Sequence, residues 1–378
     1  MLFLANQEYD AKFISYLDHE YNLLKNNGKW GLILKRILAS WSAQIICEEN
    51  LNTEFLFFKS MFRKDYDDFY SQVKLSCVSQ KKSIELKYKY SLKGLLSSFI
   101  VLRQLKVNRF SYFHLVKSVF IYSNLIKCSK LVFKAQKWSC KVLVVFGDMQ
   151  PEDNMITQFF RKNKNTITCT LQHGLYVDYS SSPNINEVNY NNTVAEYFLA
   201  WGQETSNLIR KYHKNKSIKI CGKPIELGPS NTPKEDIFTV ILDQKIFSKY
   251  NRQLIEIAFE AAEILNFKVN IKLHPLDNIE NYDLDDNYII SEGSIATSQF
   301  ILAHTTTLMY ELMRSGYNVY KYETEIPCNE TNKKITFKTC HELVKIIHKP
   351  YDQKGDFYIK YVGKESREKY KQFFSSLI

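Results

Sequence analysis

The sequence predicts an α/β protein made of two doubly wound, Rossmann-like halves, with a ligand cleft where their strand C-termini face each other. Three stretches carry this reading. Cys140–Asp148, CKVLVVFGD, is the continuous apolar run that a parallel strand covered on both faces requires. Phe300–Glu323 reads as a buried strand, a hydroxyl-rich turn and a helix. Ile271–Pro275, IKLHP, is a short strand ending in an imidazole, with a proline fixing its exit.

Taken in order, MLFLA followed by a helical pattern from about Ala11 to Lys25 reads as strand then helix, opening the first half. IICEE and LNTEFLFF suit strands, and Lys93–Lys137 is mainly helical. After Cys140–Asp148 come a helix near Asn154–Lys162, the strand TITCTLQ, the strand Ala195–Gly202, the helix ETSNLIRKYH and the strand Ser217–Pro224. The polar stretch ELGPSNTPKEDI, with two prolines and a glycine, is the expected hinge. The second set is FTVILD, the helix Gln253–Leu265, VNIKLHP, YIIS, FILAH, the helix Thr307–Ser315, NVYKYE and the helix His341–His348. This divides the chain into residues 1–227, an acceptor-side domain with a helical insertion, and 235–362, a donor domain. A basic amphipathic helix at 363–378 follows.

A length of 378 residues suits two domains of ordinary size. The eight cysteines are scattered, with no C-x-x-C pair, as expected of reduced core thiols in a cytosolic protein rather than a metal site or disulfide frame. The N-terminus lacks the basic region and apolar core of a signal peptide, and no window reaches the ~18 apolar residues of a membrane span. The expectation is a cytoplasmic protein, soluble or peripheral at a membrane. Net charge is +11, with basic residues crowded in Lys81–Lys141 and in the tail. Nucleic acid, anionic lipid and a phosphorylated substrate all suit that charge. No zinc-finger spacing, RNP signature or KH-type loop appears, so nucleic acid is not the expected partner.

Thr305, Thr306 and Thr307 fall at a helix start, where unpaired amides and the dipole favour an anion. His274 and Lys272, on one side of the same strand, are candidates to meet phosphate. Glu311, one turn after Thr307, suits a ribose diol or a salt bridge to lysine. In the first half, His173 in LQHG sits at a strand end before a glycine, a place suited to proton transfer. Asp148, Glu152 and Asp153, in GDMQPEDN, are candidate bases or acceptor ligands at the preceding strand end. No P-loop, G-x-G-x-x-G or G-x-S-x-G occurs, against a P-loop kinase, a dinucleotide dehydrogenase and an α/β-hydrolase. No D-x-D follows a strand end, and no metal site is expected.

The order of motifs, MQPE (149–152), LQHG (171–174), ICGKP (220–224), KLHP (272–275) and HTTTLMYELMRSG (304–316), resembles the GT-B transferases of bacterial surface-polysaccharide synthesis. The groups resembled are capsule-polysaccharide transferases, CDP-glycerol glycerophosphotransferases and bacterial polysialyltransferases, over about Cys140–Glu323. The resemblance implies a GT-B fold whose second half holds a CMP-, CDP- or UDP-linked donor, with no further cofactor. It places His274 on donor phosphate, Thr305–Thr307 around it and Glu311 near ribose. His173 matches the His-Gly of the glycerophosphotransferases, whose histidine is the base; in sialyltransferase-like members the base is acidic, pointing to Asp148, Glu152 or Asp153. Two departures stand out: Thr-Thr-Thr replaces the commoner Ser-Ser, and Q-H-G-L replaces W-H-G-T, which speaks against transfer of glycerol phosphate. The expected activity is metal-independent sugar transfer to a growing surface glycan or lipid-linked acceptor at an anionic membrane. Polyol-phosphate transfer and a non-catalytic glycan- or nucleic-acid-binding role are the alternatives.

Overall fold

The computed structural model describes residues 2–4, 7–60, 64–107, 115–177, 185–224, 234–275, 277–282, 289–290, 295–325, 334–349 and 357–378. Residues 226–233 of the expected hinge and the acidic run 283–286 lie outside them.

Two six-stranded, all-parallel sheets organise the chain. Across the first, the strands run Ser217–Ile220, Tyr197–Ala200, Ile167–Leu171, Trp138–Val145, Leu51–Lys59 and Lys81–Glu85. Chain direction across the sheet reverses between Leu51–Lys59 and Trp138–Val145, so the crevice at their C-terminal ends is the switch point. Across the second run Ile289–Ile290, Lys268–Lys272, Glu235–Ile241, Ser298–Ala303, Val319–Tyr322 and Thr336–Phe337. Its switch point lies between Glu235–Ile241 and Ser298–Ala303.

The unbroken apolar strands are buried on both faces, as a parallel sheet demands. Along Leu51–Lys59, Phe55 and Phe57 join one core while Leu56 and Phe58 join the opposite one. The second core includes Leu56, Phe58, Leu143 and Val145 under the helices Leu115–Ala135 and Pro151–Asn163. The other half has a core of its own, with helices Ser248–Leu265 and Thr307–Arg314 packed on the second sheet.

Three segments differ from the sequence expectation. Leu2–Leu4 does not open the parallel sheet; it pairs antiparallel with Gln7–Tyr9 and Leu105–Val107 in a small separate sheet. A three-residue apolar run is too short to declare which sheet it joins. The helical stretch after Lys93 is two helices, Leu92–Leu102 and Leu115–Ala135, with the strand Leu105–Val107 between them.

The third difference is the tail. Its helix, Ser366–Ser375, returns to the first half and buries Tyr370, Phe373 and Phe374 against the first sheet. Phe374 meets Phe55 edge-on at 5.5 Å and Phe57 at 5.9 Å. The apolar face that looked available for a membrane is therefore covered by protein. Phe374→Ala should cost about 3–5 kcal/mol, read as a lower urea midpoint. Lys371→Ala, on the exposed side, should stay within about 0.5 kcal/mol of wild type.

Candidate functional site

The C-terminal edges of the two sheets meet. Leu175, just past the strand Ile167–Leu171, packs against the core of the second half. Lys223, just past Ser217–Ile220, forms an ion pair with Glu311 of the helix Thr307–Arg314, both side chains mostly buried. Its ammonium lies 5.2 Å from the centre of the Trp201 ring.

On the first half, the turn after Ile167–Leu171 is pinned by Gln172. Its amide donates to Gly174 O at 2.8 Å, and its carbonyl accepts from Trp201 N at 2.7 Å. This clamp holds His173 at the rim, half-buried, edge-on to Tyr66 (6.1 Å) and Tyr176 (5.6 Å). Nδ1 of His173 lies 3.2 Å from the Tyr176 hydroxyl, which in turn reaches Met149 Sδ at 3.4 Å.

The three carboxylates have separate fates. Asp148 is fully buried, and both oxygens are occupied: Thr193 Oγ1 donates at 2.7 Å, Val194 N at 2.5 Å and Ala195 N at 2.6 Å. It anchors the entry to a neighbouring strand, and the expectation that it acts as base or acceptor ligand is corrected. Asp153 is also fully buried and accepts from Ser60 Oγ, while Oδ1 has no hydrogen-bond partner among the described residues. Burial pushes its carboxyl well above the ordinary range, against the lowering effect of the Ser60 bond. It too lacks access to an acceptor. Glu152 differs, because it lines a 380 Å³ cavity with Gln150, Tyr88, Arg36 and Lys127. Burial raises its pKa, but Lys127 at 2.6 Å outweighs that and holds the carboxyl below its usual value. Such a group stays ionised and is a weak base.

On the second half, Asp243 at the end of Glu235–Ile241 ties the switch point together. Its Oδ2 accepts from Thr305 N at 2.9 Å and Thr305 Oγ1 at 2.8 Å, and lies 3.0 Å from His304 Nδ1. His304 Nε2 is 2.7 Å from Thr324 Oγ1, and the ring is fully buried. Asp243 and His304 were not singled out from the sequence. The signal was present, since each is the polar residue that ends an apolar strand.

The threonine cluster is consequently smaller than expected. Thr305 is engaged by Asp243, and Thr306 is the helix cap, accepting from Leu308 N at 3.4 Å. Only Thr307 carries a hydroxyl with no hydrogen bond among the described residues, so a cradle of three hydroxyls is corrected to one helix start with Thr307 on it. Glu311 does not stand open to a ribose, being paired with Lys223. His274 and Lys272 are half-buried near the same edge. The strand ends at Lys272, and His274 lies two residues beyond it.

A second cavity, 560 Å³, is lined by Lys12, Arg161, Lys162 and Lys216. It lies by Ala195, Glu196 and Ser217, where strands begin, at the opposite end of the sheet from the switch point. Strand-end geometry therefore favours the inter-sheet region over this larger cavity. Among the described residues no group of three or more His, Cys, Asp or Glu side chains is placed to hold a metal ion.

No family model matches the chain, and no curated protein matches it in sequence. Among solved structures it is similar to the UDP-GlcNAc 2-epimerase of Methanocaldococcus jannaschii in complex with UDP-GlcNAc and UDP. The TM-score is 0.51 at 12% identity, over 86% of this chain and 100% of that one. The UDP-GlcNAc 2-epimerase of Neisseria meningitidis bound to UDP-GlcNAc gives 0.51 at 12% identity, over 86% and 99%. The pneumococcal O-GlcNAc transferase GtfA in complex with UDP and GlcNAc gives 0.47 at 9% identity over 77% of this chain. This chain spans 61% of that transferase and 60% of the matched chain of the GtfA/B complex. Likeness at such identity speaks to fold alone, and together with the two parallel sheets it gives the conclusion: the chain has the two-domain, GT-B-like architecture of facing Rossmann-like halves.

Proposed function

We propose that this protein is a metal-independent glycosyltransferase. It moves a sugar from a nucleotide-activated donor, CMP-, CDP- or UDP-linked, to a growing capsule-type polysaccharide or its lipid-linked precursor at the inner face of the plasma membrane. The observation that supports this best is the meeting of the two C-terminal sheet edges, with an imidazole at the rim of one and a helix start on the other. The motif resemblance implies that division of labour, with acceptor on the first half and donor on the second.

His173 is the base by chemistry and by elimination. Asp148 is saturated with donors, Asp153 is enclosed with burial pushing its carboxyl well above the ordinary range, and Glu152 is paired with Lys127. The Tyr176 hydroxyl donates to Met149 Sδ, which suits an Nδ1–H tautomer of His173 with Nε2 as the base. It removes the acceptor hydroxyl's proton as oxygen attacks the sugar's anomeric carbon and the bond to phosphate breaks. Charge gathers on the departing phosphate, where His274, Lys272 and the start of the helix Thr307–Arg314 stabilise it. Glu152 lines the first half's cavity and suits acceptor hydroxyls as a hydrogen-bond acceptor.

A thermal-shift screen of CMP, CDP, UDP and GDP with their sugars tests the donor side. A ligand held at about 100 times its dissociation constant should add about 2.7 kcal/mol, selective for one base and lost in His274→Ala. No shift with any nucleotide, with or without acceptor glycan, contradicts the reading. His173→Ala should keep the nucleotide shift while turnover falls about 10²–10⁴-fold; unchanged turnover places the base elsewhere.

The assignment of Asp153 has its own test. Its folded-state pKa lies above the unfolded value, so the stabilisation is complete below the unfolded pKa and is lost as pH rises through the folded one. Asp153→Asn removes that loss. Its melting temperature relative to wild type should therefore rise from pH 5 to pH 8, and a flat difference overturns the assignment.

A further inference from the structure

The helix Leu92–Leu102 is built inside out. Gly94, Ser98 and Val101 face the protein, whereas Leu92, Leu96, Phe99 and Ile100 face outward. Leu92 is 79% exposed and Leu96 64%, at the spacing of one helical stripe. A helix ordinarily buries its large apolar side chains, and this face has no partner among the described residues. The neighbouring helix Trp30–Ser42 repeats the pattern: Trp30, Leu34 and Leu38 stand four residues apart and exposed, above a buried Ile33. Leu115 and Val119, at the start of Leu115–Ala135, add to the exposed apolar surface.

These helices are locked together rather than loosely arrayed. The buried Lys130 ammonium donates to Trp41 O (2.8 Å), Ala43 O (2.8 Å) and Gly94 O (2.9 Å), joining the end of one helix to the first turn of another. Ser98 Oγ donates to Trp41 O at 2.6 Å, and Trp41 meets Phe99 edge-on at 5.9 Å. Polar bonds thus hold the inner faces, and the outer stripes form one fixed surface.

Charge identifies what covers it. From Leu86 to Gly147 the chain carries ten lysines and two arginines and not one Asp or Glu. Exposed Lys87, Lys89, Lys93 and Arg103 rim the patch, as do Lys29 and Lys35 on the other helix. Trp30 and Tyr90, both exposed, have the amphipathic rings that settle at headgroup level. A second copy would set cation against cation. No described helix is long and apolar enough to cross a membrane.

We propose that this face is a docking surface for an anionic lipid bilayer, with the three helices lying in the headgroup region and their lysines on lipid phosphates. The surface does not depend on the donor chemistry above. Its position adds one thing to it: Tyr90, Arg36 and Ala39 of the same elements line the cavity that holds Glu152. A lipid-anchored acceptor therefore needs to travel only a short way from the bilayer to reach it.

Co-sedimentation of the full chain with vesicles tests the proposal, comparing phosphatidylcholine alone with phosphatidylcholine containing about 30% phosphatidylglycerol. We expect binding to the anionic vesicles that weakens with salt and falls about tenfold or more in Leu34→Ser/Leu92→Ser/Leu96→Ser. Those side chains are exposed, so the melting temperature should hold. If that variant misfolds, Lys87→Glu/Lys89→Glu/Lys93→Glu serves in its place with the same expected loss. Arg367→Ser/Lys371→Ser, on the tail, should bind like wild type. The proposal is overturned by absence of vesicle binding, by full binding of the folded patch variant, by loss confined to the tail variant, or by a wild-type dimer that the patch variant splits without any lipid effect.

Discussion

The arrangement of the two halves depends on one crossing, where Lys223 leaves the first sheet and the chain's last segment passes over it. The Lys223 amide donates to Val362 O at 2.7 Å, and its carbonyl accepts from Arg314 Nη1 at 3.1 Å and Ser366 Oγ at 2.9 Å. Its ammonium pairs with Glu311. Glycine permits the contact: Gly363, with φ of +69°, lies so close that an added Cβ would stand 2.6 Å from Gly222 Cα. A buried ion pair of this kind contributes little net stability over an apolar pair. Removing one member, however, strands a charge at a cost of about 3–5 kcal/mol. Its value is positional, since it fixes which edge of the second half meets the first and brings His173 and the helix start at Thr307 to the same inter-sheet region.

The parallel strands were legible because each is an apolar run ended by a polar residue, and strand ends are where α/β proteins place their chemistry. Leu51–Lys59, Trp138–Val145 and Ser298–Ala303 announce themselves in this way. Local pattern fails where the decisive contact is distant. The threonine triplet reads as three converging hydroxyls until Asp243, far away in the chain, engages Thr305. Asp148 looks like a loop carboxylate until residues 193–195 fold over it. The tail helix shows an apolar face but not the sheet that receives it. Lys81–Glu85 buries only Ile84 and carries two lysines and a glutamate, a strand made by its neighbour rather than by its own hydrophobicity.

Basicity has a similar history. A charge of +11 alone cannot distinguish ligand, lipid and nucleic acid. The fold separates the lysines by role. Lys130 is a buried cross-brace whose pKa burial lowers to about 8. Lys127 and Lys223 neutralise carboxylates, and the lysines around Leu92–Leu102 surround apolar side chains in the open. Of these three sets only the last is exposed.

The central claim is that a nucleotide's phosphates settle on the second half's edge, facing His173. Hydrogen–deuterium exchange with and without the base-matched nucleotide measures this directly. The account predicts slowed exchange at residues 272–275 and 305–308, with a smaller effect at 172–175 across the cleft. Protection confined to the first half, around Arg161 and Lys216 or elsewhere far from these strand ends, contradicts it.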